Sequence, residues 1–321
     1  MVAGSGSDRG GRAYPGTWAG FLAWFPDEPA CARYLERLRW PEGIVCRACG
    51  EQRGWRTGAG RWWVCAGCSL KTSVTAGTIF DKTRMPLPTW FAAAWFVTSQ
   101  KHGLSALGLQ RALGLGSYET AWMLLHRLRV AMVRPGRERL TGRVEVDETY
   151  VGGEEEGVRG RQTQEKSIVA IAVELHEPKG FGRARLSRVP DVSAASLIPF
   201  VEASVEPGAS VLTDGWSAYS ALPTHGYLHS KTILSANGDP AHVAMPAVHR
   251  VASLLKRWLL GTHQGSVSPE HLQAYLNEFT FRFNRRSSRR RGLLFYRLLE
   301  QAVITPPLTY QQTIRRGRRR A

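Results

Sequence analysis

Apolar and polar residues alternate along residues 143–153, which read RVEVDETYVGG, and only Glu148 departs from the apolar phase. A period of two predicts a strand over 143–151 with one buried face and one polar face. Asp147 stands in the middle of this strand. A carboxylate is unfavourable there by propensity, so its presence indicates a metal ion or a cationic partner.

The pattern that follows predicts strands over 166–175 and 183–189, a helix over about 194–205, and a strand that ends at Asp214 in ASVLTDGWSAY. Three strands, a helix and a fourth strand match the start of a ribonuclease-H-like fold. In that fold one carboxylate lies on the first strand and another at the end of the fourth. Asp147 and Asp214 therefore indicate a divalent-metal site for phosphoryl transfer.

Residues 88–132 have helical periodicity instead. Thr89 is expected to cap a first helix, Ser105 a short second one, and Ser117 a third one after the turn Gly114–Gly116. Helix, glycine-bearing turn and helix is the helix-turn-helix layout of DNA-binding proteins. The residues expected to face DNA are Tyr118, Glu119, Thr120 and Arg127. The alternative interpretation is a helical linker packed between two domains.

Two C-x2-C pairs are separated by fifteen residues in the N-terminal part of the chain. Four thiolates complete a tetrahedral Zn²⁺ shell, and a site closed by four cysteines is structural. The predicted ligands are Cys46, Cys49, Cys65 and Cys68. A thioredoxin-like redox site would need only one such pair, and the isolated Cys31 is expected to be a small buried apolar residue.

The charge is strongly positive, with 43 Lys and Arg against 26 Asp and Glu, a net charge of +17. This excess favours a polyanion such as nucleic acid, although an Arg-rich source would also produce it. Arginines expected to contact phosphates are Arg285, Arg286, Arg289, Arg290 and Arg291, and a basic tail follows. A solubilising tail is the alternative. No secretory signal or membrane span is apparent, so we expect a cytoplasmic protein.

The segments VEVDETYVGG, TDGWSAY, VHRVASLLKRWLLGTHQG and HLQAYLNEFTFRFNRR, with the paired C-x2-C motifs and the AW-x3-HRLR helix, resemble bacterial insertion-sequence transposases of the ISXO-like type. The resemblance covers about residues 18–299. It implies a DDE-type ribonuclease-H-like domain that moves a DNA element with Mg²⁺.

The same resemblance implies that Asp147 and Asp214 are the first and second catalytic acids. The third residue of such sites stands seven positions before a Lys or Arg, which here places His249 before Lys256. Imidazole in place of the more common glutamate suits Mn²⁺ better than Mg²⁺. A histidine at a helix cap or at the edge of the core is the alternative.

The predicted fold class is therefore a multidomain α+β protein. The expected divisions are a leader and helix (1–40), a zinc ribbon (41–84), a helix-turn-helix region (85–135), a ribonuclease-H-like domain (140–300) and a basic tail (301–321). The expected partners are double-stranded DNA, as terminal repeats and target, and further copies of the chain. The rival function is an inactive transposase remnant that only binds DNA or regulates.

Overall fold

The computed structural model describes residues 5–7, 13–58, 62–152, 166–176, 178, 180–232, 244–265 and 267–313. The chain divides into two compact units, Met1–Arg134 with Ser288–Ala321, and Pro135–Ser287. Within the described ranges, none of the helices has the length and apolar character needed to cross a membrane.

The first unit contains helices and two small sheets among its described residues, and residues 310–313 are helical in addition to the helices named next. Its helices are α1 (Trp18–Trp24), α2 (Glu28–Arg39), α3 (Leu87–Ser99), α4 (Ala106–Leu113), α5 (Tyr118–Ala131) and α9 (Arg291–Ala302). Its strands are β1 (Ser5–Ser7) and β2 (Ala13–Pro15), which pair antiparallel, and β3 (Gly54–Thr57), β4 (Trp62–Cys65) and β5 (Lys71–Thr72), which form a three-stranded antiparallel sheet.

An aromatic core explains why the C-terminal helix α9 belongs to this unit. The ring of Phe295 on α9 lies 5.7 Å from Phe21, 5.7 Å from Phe25, 5.8 Å from Phe91 and 5.6 Å from Trp95, measured between centroids. Aromatic pairs at these separations add to the stabilisation that burial already supplies. This placement differs from the sequence expectation, which included the helix in the segment 140–300.

Close packing at the start of α9 gives a first prediction. A Cβ on Gly292 would lie 1.9 Å from the carbonyl oxygen of Pro15 and 2.8 Å from Cδ2 of Tyr14. Because both are held in β2, we expect Gly292→Ala to lower the free energy of unfolding by about 1–3 kcal/mol. Urea unfolding measures this. Gly116→Ala, where a Cβ meets nothing within 4 Å, is the control, and equal midpoints for the two variants would refute the packing argument.

The helix boundaries around the predicted DNA-binding region are partly as expected. Ser105 Oγ accepts the Gly108 N–H at 3.0 Å and Ser117 Oγ accepts the Thr120 N–H at 3.1 Å, so both serines cap their helices. The turn between α4 and α5 begins at Gly114 in the left-handed conformation, with φ 62°. Thr89 is not a cap: α3 begins earlier, after Pro86, because a proline in the first turn loses no helical hydrogen bond.

The second unit is built around one mixed five-stranded sheet. Its strands are β6 (Arg143–Val151), β7 (Ser167–Leu175), β8 (Phe181–Val189), β9 (Ser210–Asp214) and β10 (Leu228–Thr232), in the order β10-β9-β6-β7-β8. β6, β7 and β8 pair antiparallel, whereas β9 is parallel to β6 and β10 is parallel to β9. This α/β arrangement is consistent with the predicted ribonuclease-H-like fold.

Helices cover both faces of the sheet. They are α6 (Ala194–Ser204), α7 (Pro246–His263) and α8 (Leu272–Phe283). Val144 and Val146 of β6 are buried in a core shared with α6, whereas Val169 and Ile171 of β7 are buried in a second core with α7 and α8. Side chains alternate between faces along a strand. The odd-numbered positions around Asp147 on β6 therefore project towards the side of α7.

Candidate active site

The two predicted catalytic aspartates lie on neighbouring strands of the sheet. Val144 on β6 is the register partner of Val211 on β9, and the two strands run parallel. The last pair of this register is Glu145 with Leu212, and Asp147 and Asp214 stand at equivalent positions two residues further along the two strands. Both valines are buried in the core on the α6 side. The aspartates, an odd number of residues later, therefore share the opposite face, on the α7 side.

His249 lies in the first turns of α7, and its Nε2 is 3.9 Å from Oδ2 of Asp147. The two side chains are 35% and 19% exposed. Their separation is too long for a hydrogen bond. Two ligands of one ion, each bonded at about 2.1 Å, can stand up to about 4.2 Å apart, so this pair fits a shared divalent ion.

The ligand atoms of Asp147, Asp214 and His249 do not all lie close together in the structure. In the described parts of the chain, only the four-cysteine cluster brings three or more candidate ligand atoms within 4.8 Å of one another. Asp214 Oδ1 instead accepts the Trp216 N–H at 3.0 Å. The Trp216 indole N–H in turn donates to the carbonyl of Val192 at 2.8 Å, which fixes the turn that follows β9.

A carboxylate that the sequence did not single out holds α7 in place. Glu145 is 2% exposed, and its Oε2 accepts the N–H groups of Ala247 at 2.8 Å and Val248 at 3.0 Å. The first turn of α7 has no side-chain cap of its own. A carboxylate stabilises the exposed amides and the positive end of the helix dipole. Burial raises the pKa of Glu145, and the two donated hydrogen bonds oppose that shift.

This contact gives a second prediction. Glu145→Ala leaves two buried amides without an acceptor, so we expect the free energy of unfolding to fall by about 2–4 kcal/mol. Urea unfolding measures the loss, with Glu206→Ala, an exposed glutamate of the same unit, as control. Glu145→Gln keeps one acceptor oxygen and should recover part of the loss. If Glu145→Ala and Glu206→Ala unfold alike, Glu145 does not hold the helix.

Lys256 lies two turns after His249 on the unbroken helix α7, so the two residues share a face as the sequence predicted. Partial burial of the ammonium group, together with the positive charge of Lys166, lowers the pKa of Lys256. The side chain nevertheless remains exposed. An exposed cation on the face that carries His249 is suited to phosphate.

Tyr219 and Glu148 form a contact behind the two aspartates. The fully buried Tyr219 donates its hydroxyl hydrogen to Oε2 of Glu148 at 3.0 Å. Burial, followed by the negative charges of Glu148, Asp147 and Asp214, raises the pKa of Tyr219 well above its usual value. The tyrosine is therefore a neutral donor. In the sequence, Glu148 stands where the alternation of β6 calls for an apolar residue, and this departure marked a carboxylate with a buried partner.

The four predicted zinc ligands converge. All four Sγ atoms lie within 4.8 Å of one another, with Cys46–Cys68 at 3.5 Å and Cys49–Cys65 at 3.4 Å. Tetrahedral Zn²⁺ with bonds of about 2.3 Å places sulfurs about 3.8 Å apart, so the cluster fits the ion. Cys31 is fully buried elsewhere, as expected.

The two knuckles share one backbone geometry. The Gly50 N–H donates to the carbonyl of Cys46 at 2.9 Å, and the Ser69 N–H donates to that of Cys65 at 3.0 Å. Gly50 and Ser69 have φ of 74° and 61°, the left-handed conformation that closes each tight turn. Four cysteines are thus positioned for a structural zinc site.

The residues predicted to contact DNA differ in their surroundings. Tyr118, Glu119 and Thr120 are exposed in the first turn of α5, with Tyr118 at 48%. Arg127 is half-buried: its Nε–H donates to the carbonyl of Leu308 at 2.9 Å, and burial lowers its pKa. Contact with DNA by these four residues stays a prediction.

Of the C-terminal arginines, Arg285 is half-buried and Arg286 is exposed, and both contact neighbouring groups. The guanidinium of Arg285 lies 3.9 Å from the ring centroid of Phe281, and Arg286 donates to the carbonyls of Gly182 and Phe283 at 3.1 and 3.0 Å. Arg289, Arg290 and Arg291 are exposed. The basic residues of the tail beyond 313 lie outside the described residues.

Comparison with known proteins gives matches for both the N-terminal part and the second unit of the chain. Residues 139–284 match the ISXO2-like transposase domain, and residues 26–71 match the transposase zinc-ribbon domain. The chain is 26% identical over 276 residues to an uncharacterised protein of the transposable element ISH50 from Halobacterium salinarum, covering 80% of this chain and 91% of that protein. It is 28% identical over 96 residues to an uncharacterised transposase-like protein of Haemophilus influenzae, covering 30% of this chain and 76% of that protein. The chain therefore carries a transposase zinc-ribbon domain followed by an ISXO2-like transposase domain, and it is similar to a protein of a transposable element.

Proposed function

We propose that this transposase binds the ends of its insertion element and catalyses metal-dependent cleavage and strand transfer of DNA. The observation that carries the proposal is the placement of Asp147 and Asp214 on one face of adjacent parallel strands, with His249 Nε2 3.9 Å from Asp147. Phosphodiester transfer needs little covalent help from a protein. Its main requirement is well-placed negative charge and oxygen ligands for divalent ions.

Asp147, Asp214 and His249 are the residues that would hold Mg²⁺ or Mn²⁺. Bound there, the ions would activate the attacking water or 3′-hydroxyl and stabilise the departing oxygen. Asp214 would join the set by giving up the Trp216 N–H that its Oδ1 accepts in the structure. Imidazole ligates a metal ion only in its neutral form, so acid conditions that protonate His249 would weaken metal binding.

The remaining assignments concern DNA. Lys256, on the helix face of His249, would contact a phosphate near the reacting strand. We infer that the first turn of α5 meets base edges and that Arg289, Arg290 and Arg291 contact phosphates, because these side chains are exposed. We further propose that two or more copies of the chain act together, because two element ends have to be joined in one reaction.

The experiment is a cleavage and joining assay on DNA that carries the element's own ends, with Mg²⁺ or Mn²⁺. We expect cleaved and joined products from the unchanged protein and none from Asp214→Asn. Glu206→Gln, which removes an exposed charge from the same unit, is expected to keep full activity. Products at undiminished yield from Asp214→Asn would refute the proposed site.

One observation favours a second candidate, an inactive remnant that only binds DNA. The ligand atoms of Asp147, Asp214 and His249 do not all lie within 4.8 Å of one another. If the unchanged protein binds element ends but yields no products with either metal, this second function replaces the first. A gel-shift measurement on the same DNA shows whether the unchanged protein binds the element ends.

A further inference from the structure

A cavity of about 530 Å³ opens in the first unit, between α1, α2 and β3. None of its lining residues is among those assigned to metal ions above. The residues that line it are Trp24, Ala30, Arg33, Glu36, Arg37, Trp40 and Arg56. Its volume falls within the range of small-molecule sites, about 300–1,000 Å³. We call it the α2 cavity.

One face of α2 supplies most of the α2 cavity. Residues three or four positions apart lie on the same side of a helix. The lining residues with this spacing are Arg33, Glu36, Arg37 and Trp40. The opposite side of α2 is buried and anchors the helix in the core of the unit. The polar and aromatic face is therefore held at the cavity by packing behind it.

The two indole rings that line the α2 cavity contact side chains of the same unit. The guanidinium of Arg39 lies 4.6 Å from the ring centroid of Trp40. It is fixed by donation to the carbonyls of Ser73, Val74 and Ala76 at 3.2, 2.7 and 2.6 Å. Supported rings are suited to stacking, because little side-chain freedom is lost when a flat ligand binds.

Trp24 is supported in a similar way. Its ring meets Phe25 and Tyr34 edge to face, with centroids 6.2 and 6.3 Å apart. Both Trp24 and Trp40 are half-buried. Each indole thus combines contacts within the unit with a surface that lines the cavity.

The charge of the α2 cavity favours an anion. Three guanidiniums line it against one carboxylate, that of Glu36, which pairs with Arg56. Arg33 and Arg37 are exposed at the cavity. Aromatic rings beside arginines are the combination with which proteins bind single-stranded nucleic acid, stacking on the base and neutralising the phosphate. Bases within a duplex remain stacked on each other and offer no free face to such rings.

We propose that the α2 cavity binds an unpaired nucleotide of DNA, with its base stacked on Trp24 or Trp40 and its phosphate on Arg33 and Arg37. This inference rests on the proposed function in taking DNA as the substrate. It adds that the N-terminal unit holds a strand whose base pairing has opened. The zinc-ribbon match over residues 26–71 includes α2, β3 and every residue that lines the cavity except Trp24.

The test is fluorescence anisotropy with a labelled ten-nucleotide oligo-dT and, separately, a ten-base-pair duplex, using the full zinc-loaded chain without divalent catalytic metal. Because no strand is cut under these conditions, an inactive catalytic site does not affect the result. We expect Trp24→Leu and Trp40→Leu each to weaken single-strand binding by about 5- to 100-fold. Duplex binding should change by less than about twofold in the same variants.

The matched control is Trp55→Leu on β3, because Trp55 is 52% exposed and does not line the cavity. Its single-strand affinity should equal that of the unchanged protein. Arg33→Gln changes an exposed side chain and does not disturb packing. It should remove one phosphate contact, so the slope of log affinity for the single strand against log salt concentration should change by about 0.7. Equal losses for single strand and duplex, or a loss in Trp55→Leu as large as in Trp24→Leu, would overturn the proposal, as would an unchanged salt slope in Arg33→Gln.

Discussion

Asp147→Asn is expected to lower the rate of DNA strand cleavage by at least about 10³-fold while leaving the fold intact. Metal ions contribute several kcal/mol of charge stabilisation to such reactions, and each 1.36 kcal/mol corresponds to tenfold in rate. Asparagine has the shape of aspartate but no negative charge to offer an ion. Its side-chain oxygen can still accept the Glu148 N–H that Asp147 Oδ1 accepts at 2.8 Å.

The measurement is single-turnover cleavage of end DNA, with thermal unfolding of the same preparations to verify folding. Glu206→Gln again serves as the matched loss of one carboxylate. We expect its rate to lie within about twofold of the unchanged protein, since an exposed side chain away from the ligands has little effect on a reaction barrier. Cleavage by Asp147→Asn at a comparable rate would remove Asp147 from the chemistry.

Loss of zinc is the second large effect that we expect. The buried apolar cluster of the ribbon consists of Cys46, Trp63 and Cys65, with Ile44 and Leu70 packed against it. So small a core contributes little folding free energy, whereas structural Zn²⁺ contributes about 10–16 kcal/mol in isolated zinc-finger peptides. Cys65→Ser, or a strong chelator, is therefore expected to unfold β3–β5 and to lower bound zinc from one ion per chain to none.

Metal analysis and tryptophan fluorescence measure the two effects together. Cys31→Ser is the matched control, since burial raises the pKa of the Cys31 thiol to about 12 and the residue lies outside the cluster. Its zinc content should stay at one ion per chain. A Cys65→Ser protein that retains one zinc ion with unchanged fluorescence would contradict the four-cysteine assignment.

The strand that carries Asp147 could be predicted from the sequence, because its information is local. Alternation of apolar and polar residues gave 143–151, and the structure has β6 at Arg143–Val151. β7 could be recognised as a continuous apolar run because both of its faces are buried. The zinc site could also be predicted, because the spacing of the two C-x2-C pairs is typical of zinc ligands. In the structure their four sulfur atoms lie within 4.8 Å of one another.

Other features depend on contacts between residues far apart in the chain. Glu145 caps a helix that begins about a hundred residues later, and no local pattern marks a carboxylate for that role. The polar strand β10 lies at the edge of the sheet with three of its five residues exposed, so it lacks the apolar alternation that marks β6. The placement of α9 depends on Phe295 meeting aromatic residues of the N-terminal helices α1 and α3, which periodicity within α9 does not encode.

The most direct test of a metal site at Asp147, Asp214 and His249 is a crystal structure of the protein with end DNA and Mn²⁺, read from the anomalous scattering of manganese. We predict a manganese peak about 2.1 Å from a carboxylate oxygen of Asp147 and from Nε2 of His249, with Asp214 turned from the Trp216 N–H towards an ion. Manganese bound elsewhere, or bound at Asp147 with the imidazole of His249 turned away, would contradict the account.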